Sequence, residues 1–182
     1  MNKSVKIIRG GQHEPLIAKY TAFDSIIEVN DTDSNRLLYT VPYAVTQPYN
    51  GYQGGIVAED LYGFVCGSGM QMPSPQEKVL YWFRKEFIGK VHGVADLTEA
   101  MRTFTSLRPN PNHGGALLIT DVLVHNDNTQ YPCNGGYSDG CTTIFPGLVE
   151  PWQYLKSFFD LFNIGDTGTI LLIRDPAWKM PG

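Results

Sequence analysis

Short apolar runs, separated by polar turn-forming residues, fill the first third of the chain. The runs are "SVKIIRG", "DSIIEV" and "RLLYTVPYAV", which are rich in β-branched residues, and the polar stretch "NDTDSN" separates the last two. Short β-branched runs bounded by turn chemistry are typical of β-strands. We therefore predict three strands in this part of the chain.

Capping residues predict helices in the middle of the chain. In "SPQEKVLYWFRKEF", Ser74 is placed to cap a helix and Glu77 to close a capping box, and the apolar residues that follow fall on one helical face. The shorter segment "DLTEAMRTF" repeats this device with Asp96 and Glu99. We predict a helix in each segment, followed by a loop over "SLRPNPNHGG".

The second half of the chain is predicted to contain two buried strands and a third helix. "ALLITDVLVH", from Ala116 to His125, is predicted to be a single buried strand because it is apolar, branched and preceded by glycines. "EPWQYLKSFFDLFNIG" has apolar residues at helical spacing and Gly165 as a stop, which predicts a helix. "TGTILLIRD" follows as another buried strand.

Together these elements predict a single α+β domain over residues 1–182. The domain is expected to be mostly β, a sandwich-like or barrel-like mixed sheet with about three helices. With 42% hydrophobic and 18% charged residues, the composition is that of a folded globular protein. The net charge is −4 and the basic residues form no stripe, so we expect no nucleic-acid partner.

The sequence also predicts no membrane span and no export signal. No apolar run is long enough for a transmembrane helix. The N-terminal run "VKII" is too short for the core of a signal peptide, and Arg9 and two glycines follow it at once. The pattern makes no prediction about the oligomeric state.

The strongest candidate for chemistry is the segment "YSDGCTTIFPG", which contains Cys141. A cysteine nucleophile needs a nearby imidazole to accept its proton and backbone N–H groups directed at the oxyanion. His125, at the end of a predicted strand, can supply the imidazole, and Gly140 lets the backbone approach a substrate carbonyl closely. Ser138 and Asp139 suit a turn, and the amides around Gly140 and Cys141 could form the oxyanion hole.

Other roles for Cys141 are open at this point. It could be a small buried side chain without chemistry, or it could form a disulfide with Cys133, which would need an oxidising compartment. The chain has three cysteines, and the odd number argues against a disulfide framework. A zinc site lacks the close-paired cysteine spacing of structural sites, and we predict no metal. The ligands of such a site would come from His125, Asp127, Cys133, Asp139 and Cys141.

A second cysteine, Cys66 in "YGFVCGSGM", also has glycine neighbours. Paired with His92 or His113, it would follow the order of papain-like cysteine peptidases, including those that cut peptidoglycan, in which the cysteine precedes the histidine. Such a cysteine usually begins a helix, and "GSGMQMPSP" is not helix-forming. We therefore rank this alternative below the Cys141 site.

The stretch "LLITDVLVHNDN…GGYSDGCTTI" resembles the signature of L,D-transpeptidases of the YkuD type. In that family a strand ends in histidine, and a loop leads to the motif Ser-His-Gly-Cys. The segment that follows, "WQYLKSFFDLFNIGDTGTILLI", is similar to the helix and strand that usually end the catalytic domain. The resemblance covers the chain from Ala116 to Ile173 and implies an L,D-transpeptidase-like fold.

The resemblance implies two-step acyl transfer on a peptidoglycan stem peptide. Cys141 would be the nucleophile and His125 its base, with Ser138 and Gly140 matching the motif. A thioester would form, and an amine would resolve it by transfer or water by hydrolysis, without a metal or organic cofactor. The protein would then act at the cell envelope. A non-catalytic envelope-binding or phage structural module on the same fold is the alternative.

Three positions depart from the family pattern. Asn126 stands where a glycine commonly follows the first histidine. Asp139 stands where the motif has histidine, and Thr143 stands where an arginine is usual. The loss of the arginine removes a donor fork for anions. We predict that the substrate is contacted by Tyr137, Ser138, Asp139 and Thr143, with the loop tyrosines Tyr49 and Tyr52 as further candidates.

Overall fold

The structure of the protein is a computed structural model. It describes residues 2–12, 23–48, 54–69, 77–127, 139–145, 150 and 152–180. This part of the chain contains ten β-strands, one α-helix and three short 3-10 helices. The strands are β1 (Lys3–Arg9), β2 (Ser25–Asp31), β3 (Arg36–Val45), β4 (Asp60–Ser68), β5 (Lys78–Arg84), β6 (Thr103–Asn110), β7 (Ala116–Thr120), β8 (Leu123–Asn126), β9 (Thr142–Ile144) and β10 (Thr167–Arg174). The α-helix, α1, spans Gln153–Phe159, and the 3-10 helices span Lys85–Phe87, Val94–Asp96 and Pro111–His113.

Eight of these strands close into a barrel, in the order β1-β10-β4-β5-β8-β9-β3-β2. β1 runs parallel to β10 and β8 runs parallel to β9, whereas the other neighbours in the barrel are antiparallel. β6 and β7 form a separate two-stranded sheet. The prediction of a mostly β domain with a barrel-like mixed sheet is confirmed by this arrangement.

The barrel interior is filled by alternate side chains of its strands. On β2, Ile27 and Val29 are both 0% exposed, whereas Glu28 between them is only partly buried. Large aromatic side chains fill the opposite side of the interior, with Phe64 on β4 and Trp82 on β5. Removal of this apolar surface from water is the main favourable contribution to folding.

Helix α1 packs onto this core through the buried rings of Phe158 and Phe159. Phe162, just beyond the helix, meets Phe64 edge-to-face with 5.5 Å between the ring centroids. The Nζ of Lys78 donates to the carbonyl oxygens of Phe159 and Phe162 at 3.1 and 2.6 Å. Its charge therefore compensates the partial negative charge at the helix C-terminus. The helix predicted in "EPWQYLKSFFDLFNIG" is confirmed over a shorter span.

The helix predicted over "SPQEKVLYWFRKEF" is wrong, because its described part forms strand β5 and one 3-10 turn. β5 is buried on both faces. Leu80 and Trp82 lie in the barrel core, whereas Phe83 packs outside the barrel against Val65 and Val91. A strand covered on both faces lacks the alternation that identifies strands, so its apolar residues can also match helical spacing. The aromatic and β-branched content of "VLYWF" indicates the strand instead.

The helix predicted over "DLTEAMRTF" is also wrong. Asp96 ends a 3-10 turn, and its carboxylate accepts hydrogen bonds from the backbone N–H groups of His92 and Gly93 at 2.9 and 3.0 Å. This carboxylate therefore caps the preceding turn rather than a following helix. The chain then enters β6, which continues to Asn110 through half of the predicted loop. The described residues thus contain one α-helix, where about three were predicted.

The single buried strand predicted from Ala116 to His125 is two strands in two different sheets. Asp121, which has a φ of 57°, breaks the chain between β7 and β8. β7 is mostly exposed, since Leu117 is 54% exposed and only Ile119 of this strand is buried. The apolar run therefore predicted strand structure correctly for most residues but missed the turn and the exposure of β7.

The other predicted strands are confirmed as β1, β2, β3 and β10. "TGTILLIRD" is buried on one face only, because Ile170 and Leu172 enter the core while Leu171 is 40% exposed. Within the described ranges, none of the helices has the length and apolar character needed to cross a membrane.

Candidate functional site

The parallel pair β8 and β9 brings the predicted histidine and cysteine to neighbouring strands. In the register of this pair, His125 lies opposite Thr143 and Val124 opposite Thr142. Cys141 directly precedes β9, so it lies beside the start of β8. An offset of two residues along neighbouring strands corresponds to about 8 Å between the Cα atoms of His125 and Cys141. Histidine and cysteine side chains can close a separation of this size.

The sulfur of Cys141 contacts the backbone of the turn between β7 and β8. The backbone N–H of Leu123 donates to Sγ at 3.3 Å, and the Sγ–H donates to the carbonyl oxygen of Asp121 at 3.6 Å. The residue is half-buried. Burial raises the pKa of the Cys141 thiol to about 12, the Leu123 N–H opposes this shift, and the nearby carboxylates of Asp139 and Asp121 add to it. The thiol is therefore protonated at neutral pH.

His125 is 5% exposed and lies on the face of β8 opposite to Val124, which points into the barrel core. Its Nδ1 is 2.7 Å from the carbonyl oxygen of Asn126. A carbonyl oxygen only accepts hydrogen bonds, so Nδ1 carries the proton and Nε2 carries the lone pair. Burial lowers the pKa of His125 to about 4, which keeps the ring neutral at neutral pH. Among the described residues, no hydrogen bond joins this ring to the sulfur of Cys141.

Thr143, predicted to contact substrate, is 0% exposed and faces a buried carboxylate. Its Oγ1 donates to Oδ2 of Asp127 at 2.8 Å, and Asp127 is itself only 1% exposed. The hydroxyl therefore stabilises the folded structure beside His125. A direct contact between Thr143 and a substrate would require its hydrogen bond to Asp127 to break. From the sequence, Asp127 was a candidate only as a ligand of the alternative zinc site.

Gly140 has a φ of 135°, a conformation that favours glycine. A Cβ at this position would lie 2.3 Å from the carbonyl oxygen of Gly55 and 2.6 Å from Cδ1 of Ile119. Gly54 packs in the same way against Asp139, the residue before Gly140, since a Cβ on Gly54 would lie 2.2 Å from the carbonyl oxygen of Asp139. Close backbone packing therefore holds the segment before Cys141 against residues 54–55.

The side chain of Asp139 is exposed next to this packed backbone. Nδ2 of Asn112 donates to Oδ2 of Asp139 at 3.4 Å. The adjacent His113 has its Nε2 3.3 Å from Oγ1 of Thr120, which directly precedes Asp121. Asn112 and the Asp121 carbonyl were missed as parts of the site, because only the tertiary structure brings residues 112–121 to the cysteine. No sequence pattern predicted this contact.

Several predicted residues lie outside the described part of the chain. They are Tyr49, Tyr52, Cys133, Tyr137 and Ser138. The substrate contacts assigned to Tyr137 and Ser138, and the alternative disulfide between Cys133 and Cys141, therefore stay predictions. In the described ranges, no group of three histidine, cysteine, aspartate or glutamate side chains could hold a metal ion.

The alternative nucleophile, Cys66, lies in the interior of the barrel. It is 1% exposed within the main core cluster, and burial raises the pKa of its thiol to about 11. Its carbonyl and N–H are bonded to the backbone of Gly165 and Asp166 at 2.8 Å each. A thiol in this position packs as a small apolar side chain, and a substrate carbonyl has no path to it without opening the core.

Comparisons of the chain with protein-family models, with curated proteins and with solved structures found no match. Its function must therefore be inferred from the chemistry and geometry of the site itself.

Proposed function

We propose that the protein is a cysteine-dependent acyltransferase or hydrolase that acts on peptidoglycan stem peptides, with Cys141 as nucleophile and His125 as base. The observation that carries this proposal is the parallel register of β8 and β9. His125 lies opposite Thr143 in this register, and Cys141 comes two residues before Thr143, directly before β9. The tautomer of His125 supports it further, because the lone pair on Nε2 is the form that a general base requires.

The site favours a neutral resting pair over a thiolate–imidazolium ion pair. Burial raises the pKa of Cys141 to about 12 and lowers that of His125 to about 4, so both groups are uncharged at neutral pH. The proton must then leave the sulfur as the sulfur attacks. The Leu123 N–H, which donates to the sulfur at 3.3 Å, would stabilise the negative charge that develops on it.

The proposed reaction has two steps. In the first, the Cys141 proton moves to Nε2 of His125, the sulfur bonds to the carbonyl carbon, and the carbon–nitrogen bond of the peptide breaks. The departing amine takes the proton from His125, which leaves a thioester. In the second, an amine or a water molecule attacks the thioester carbonyl and gives its proton to His125. The Cys141 sulfur leaves and takes this proton back, which regenerates the resting pair.

Intact-mass spectrometry tests the proposal directly. The protein is incubated with muropeptides, or with a carbapenem as an acylating probe, and we expect a covalent adduct on the wild type. Cys141→Ala should form none, and Cys66→Ala, the matched control from the barrel core, should form it as the wild type does. An adduct that persists in Cys141→Ala would contradict the assignment of the nucleophile.

The non-catalytic alternative has one specific observation in its favour. The Cys141 sulfur bonds the N–H of Leu123 and the carbonyl of Asp121, and such contacts also suit a thiol that only caps the turn between β7 and β8. A binding module of this kind would retain muropeptides on the native protein without any covalent adduct. Cys141→Ala would then leave this affinity unchanged and lower the stability alone.

A further inference from the structure

The surface next to Cys141 carries the negative charge of Asp139. Asp139 lies two residues before the cysteine and its side chain is exposed. Its backbone packs against Gly54, and its carboxylate accepts a hydrogen bond from Asn112 at 3.4 Å. The carboxylate is thus held beside the half-buried sulfur by contacts with two other segments of the chain.

Among the residues that the structure describes near the sulfur, Asp139 carries the principal exposed charge. Asp121, whose carbonyl accepts from the sulfur, has its carboxylate paired with the guanidinium of Arg102. Arg108 donates from Nε to the carbonyl oxygen of Gly54 at 3.0 Å, and the charges that shift the pKa of Cys141 do not include its guanidinium. The carboxylates of Asp139 and Asp121 are the charges that raise the pKa of Cys141, in that order.

We propose that Asp139 is a specificity-determining residue, which favours substrates with a cationic group next to the reacting carbonyl and disfavours substrates with a carboxylate there. This inference rests on the proposed function of Cys141 and names the charge class of its substrate. A side-chain ammonium or a free amine adjacent to the scissile bond has the required chemistry. Thr143 cannot reverse the preference, because its hydroxyl is neutral and bonded to Asp127.

The size of the effect follows from Coulomb's law. Residues two positions apart in an extended chain are separated by about 7 Å, which is the scale of the distance between the carboxylate and the sulfur. At this distance in an aqueous dielectric, one negative charge changes the ratio of rates for a cation and an anion by about tenfold. Added salt should bring this ratio closer to one, because the separation between the carboxylate and the sulfur approaches the Debye length.

Charged thiol reagents measure this preference without requiring turnover. The wild type and Asp139→Asn are treated at low ionic strength with three methanethiosulfonates, which carry a trimethylammonium, a methyl or a sulfonate group. Reaction at Cys141 is followed by peptide mass spectrometry. We expect the cation-to-anion rate ratio at Cys141 to fall about tenfold in Asp139→Asn. Asp160→Asn, an exposed aspartate at the end of α1, is the matched control and should leave the ratio unchanged.

A second experiment compares the acylation of Cys141 by two stem peptides that differ only in the side chain beside the reacting carbonyl. This side chain carries an ammonium in one peptide and a carboxylate in the other. An unchanged reagent ratio in Asp139→Asn would overturn the inference even if Cys141 forms acyl adducts. A sulfur that reacts with none of the three reagents would overturn it too, since it could not select among substrates. A charge-selective Cys141 that no peptide acylates would instead contradict the proposed function and leave the electrostatic preference established.

Discussion

Two regions of the barrel differ in the kind of side chain that they bury. The wall, which we define as β10, β4 and β5, consists of strands of eight, nine and seven residues with apolar interiors. The seam, defined as β8, β9, Asp127 and residues 139–141, has strands of only four and three residues. The buried polar residues of the seam are His125, Asn126, Asp127, Thr142 and Thr143.

The difference indicates where the fold accommodates chemistry. A buried polar group lowers stability unless it is hydrogen-bonded, so a region that concentrates such groups is not optimised for packing alone. In the wall, the side chains that enter the core are apolar or aromatic, and their burial is the main contribution to stability. In the seam, the bonds of His125 to the Asn126 carbonyl and of Thr143 to Asp127 hold a histidine in one tautomer beside a cysteine.

The two described cysteines show the same contrast. Burial raises the pKa of both thiols, to about 11 for Cys66 in the wall and to about 12 for Cys141 in the seam. Cys66 packs among apolar side chains of the core, whereas Cys141 is half-buried, bonded to Leu123 and adjacent to Asp139. The contacts of the sulfur, rather than its pKa, therefore separate a structural cysteine from a candidate nucleophile.

The largest effect is expected from truncation of the wall. Phe64→Ala removes a ring that is 0% exposed, and we expect it to lower the free energy of unfolding by about 3–5 kcal/mol. Denaturant unfolding measures this change. Leu171→Ala, on the exposed face of the same wall, should change it by less than about 0.5 kcal/mol. Equal losses for the two variants would show that the wall is not held by its interior.

The next largest effect is the acid sensitivity of the seam. The pKa of His125 is about 4 in the folded state, against about 6.5 for an unperturbed histidine, so the unfolded chain binds the proton more tightly between these values. Stability should therefore fall as the pH drops from 6.5 to 4, by about 3 kcal/mol from this residue. His125→Gln should remove this component of the pH dependence, whatever its effect at neutral pH.

His92→Gln is the control for this prediction, because His92 is exposed. Its unfolding free energy should keep the wild-type dependence on pH. A pH profile of His125→Gln that also matches the wild type between pH 6.5 and 4 would contradict the burial of a neutral His125.

A smaller effect is expected from the buried hydroxyl of the seam. Thr143→Val keeps the side-chain shape but removes the donor to Asp127, which leaves a buried carboxylate with one partner fewer. We expect a loss of about 1–3 kcal/mol in the free energy of unfolding. Thr105→Val, at an exposed strand position, should be neutral or slightly stabilising in the same assay. If both substitutions are neutral, the bond to Asp127 does not hold the seam together.

The smallest effect is expected at the surface end of the wall. Lys85 pairs with Asp60 at 2.9 Å, but their side chains are 55% and 45% exposed. Lys85→Ala should therefore lower the free energy of unfolding by less than about 1 kcal/mol, and high salt should remove the difference. A loss comparable to that of Phe64→Ala would mean that exposed charges, and not the interior, determine the stability of the wall.

The sequence predicted the regions in which one physical signal dominates. β1, β2, β3 and β10 were predicted because β-branched runs with turns at both ends have few alternative structures. β5 was missed because apolar residues of the segment 85–101 cover its outer face, which removes its alternation of apolar and polar residues. Asp96 and Glu99 match a capping box, but pairing of β6 with β7 determines the structure that follows.

The candidate site was also predictable only in part, because some of its contacts depend on the tertiary structure. Cys141, His125 and Gly140 were identified from local chemistry and from the family resemblance, and the structure describes all three. The role of Asn112 at Asp139, and that of the Asp121 carbonyl at the sulfur, depends on the break at Asp121. A pattern that predicted one continuous strand there could not place these groups beside the cysteine.

The rate at which Cys141 is acylated, in the wild type and in His125→Gln, tests the central claim most directly. The protein is mixed with a muropeptide or a carbapenem near neutral pH, and the adduct is followed by intact-mass spectrometry. We predict an adduct on Cys141 that forms at least about 100-fold more slowly in His125→Gln, because the general base has been removed. An adduct that forms at the wild-type rate in His125→Gln, or no adduct on the folded wild type, would contradict the account.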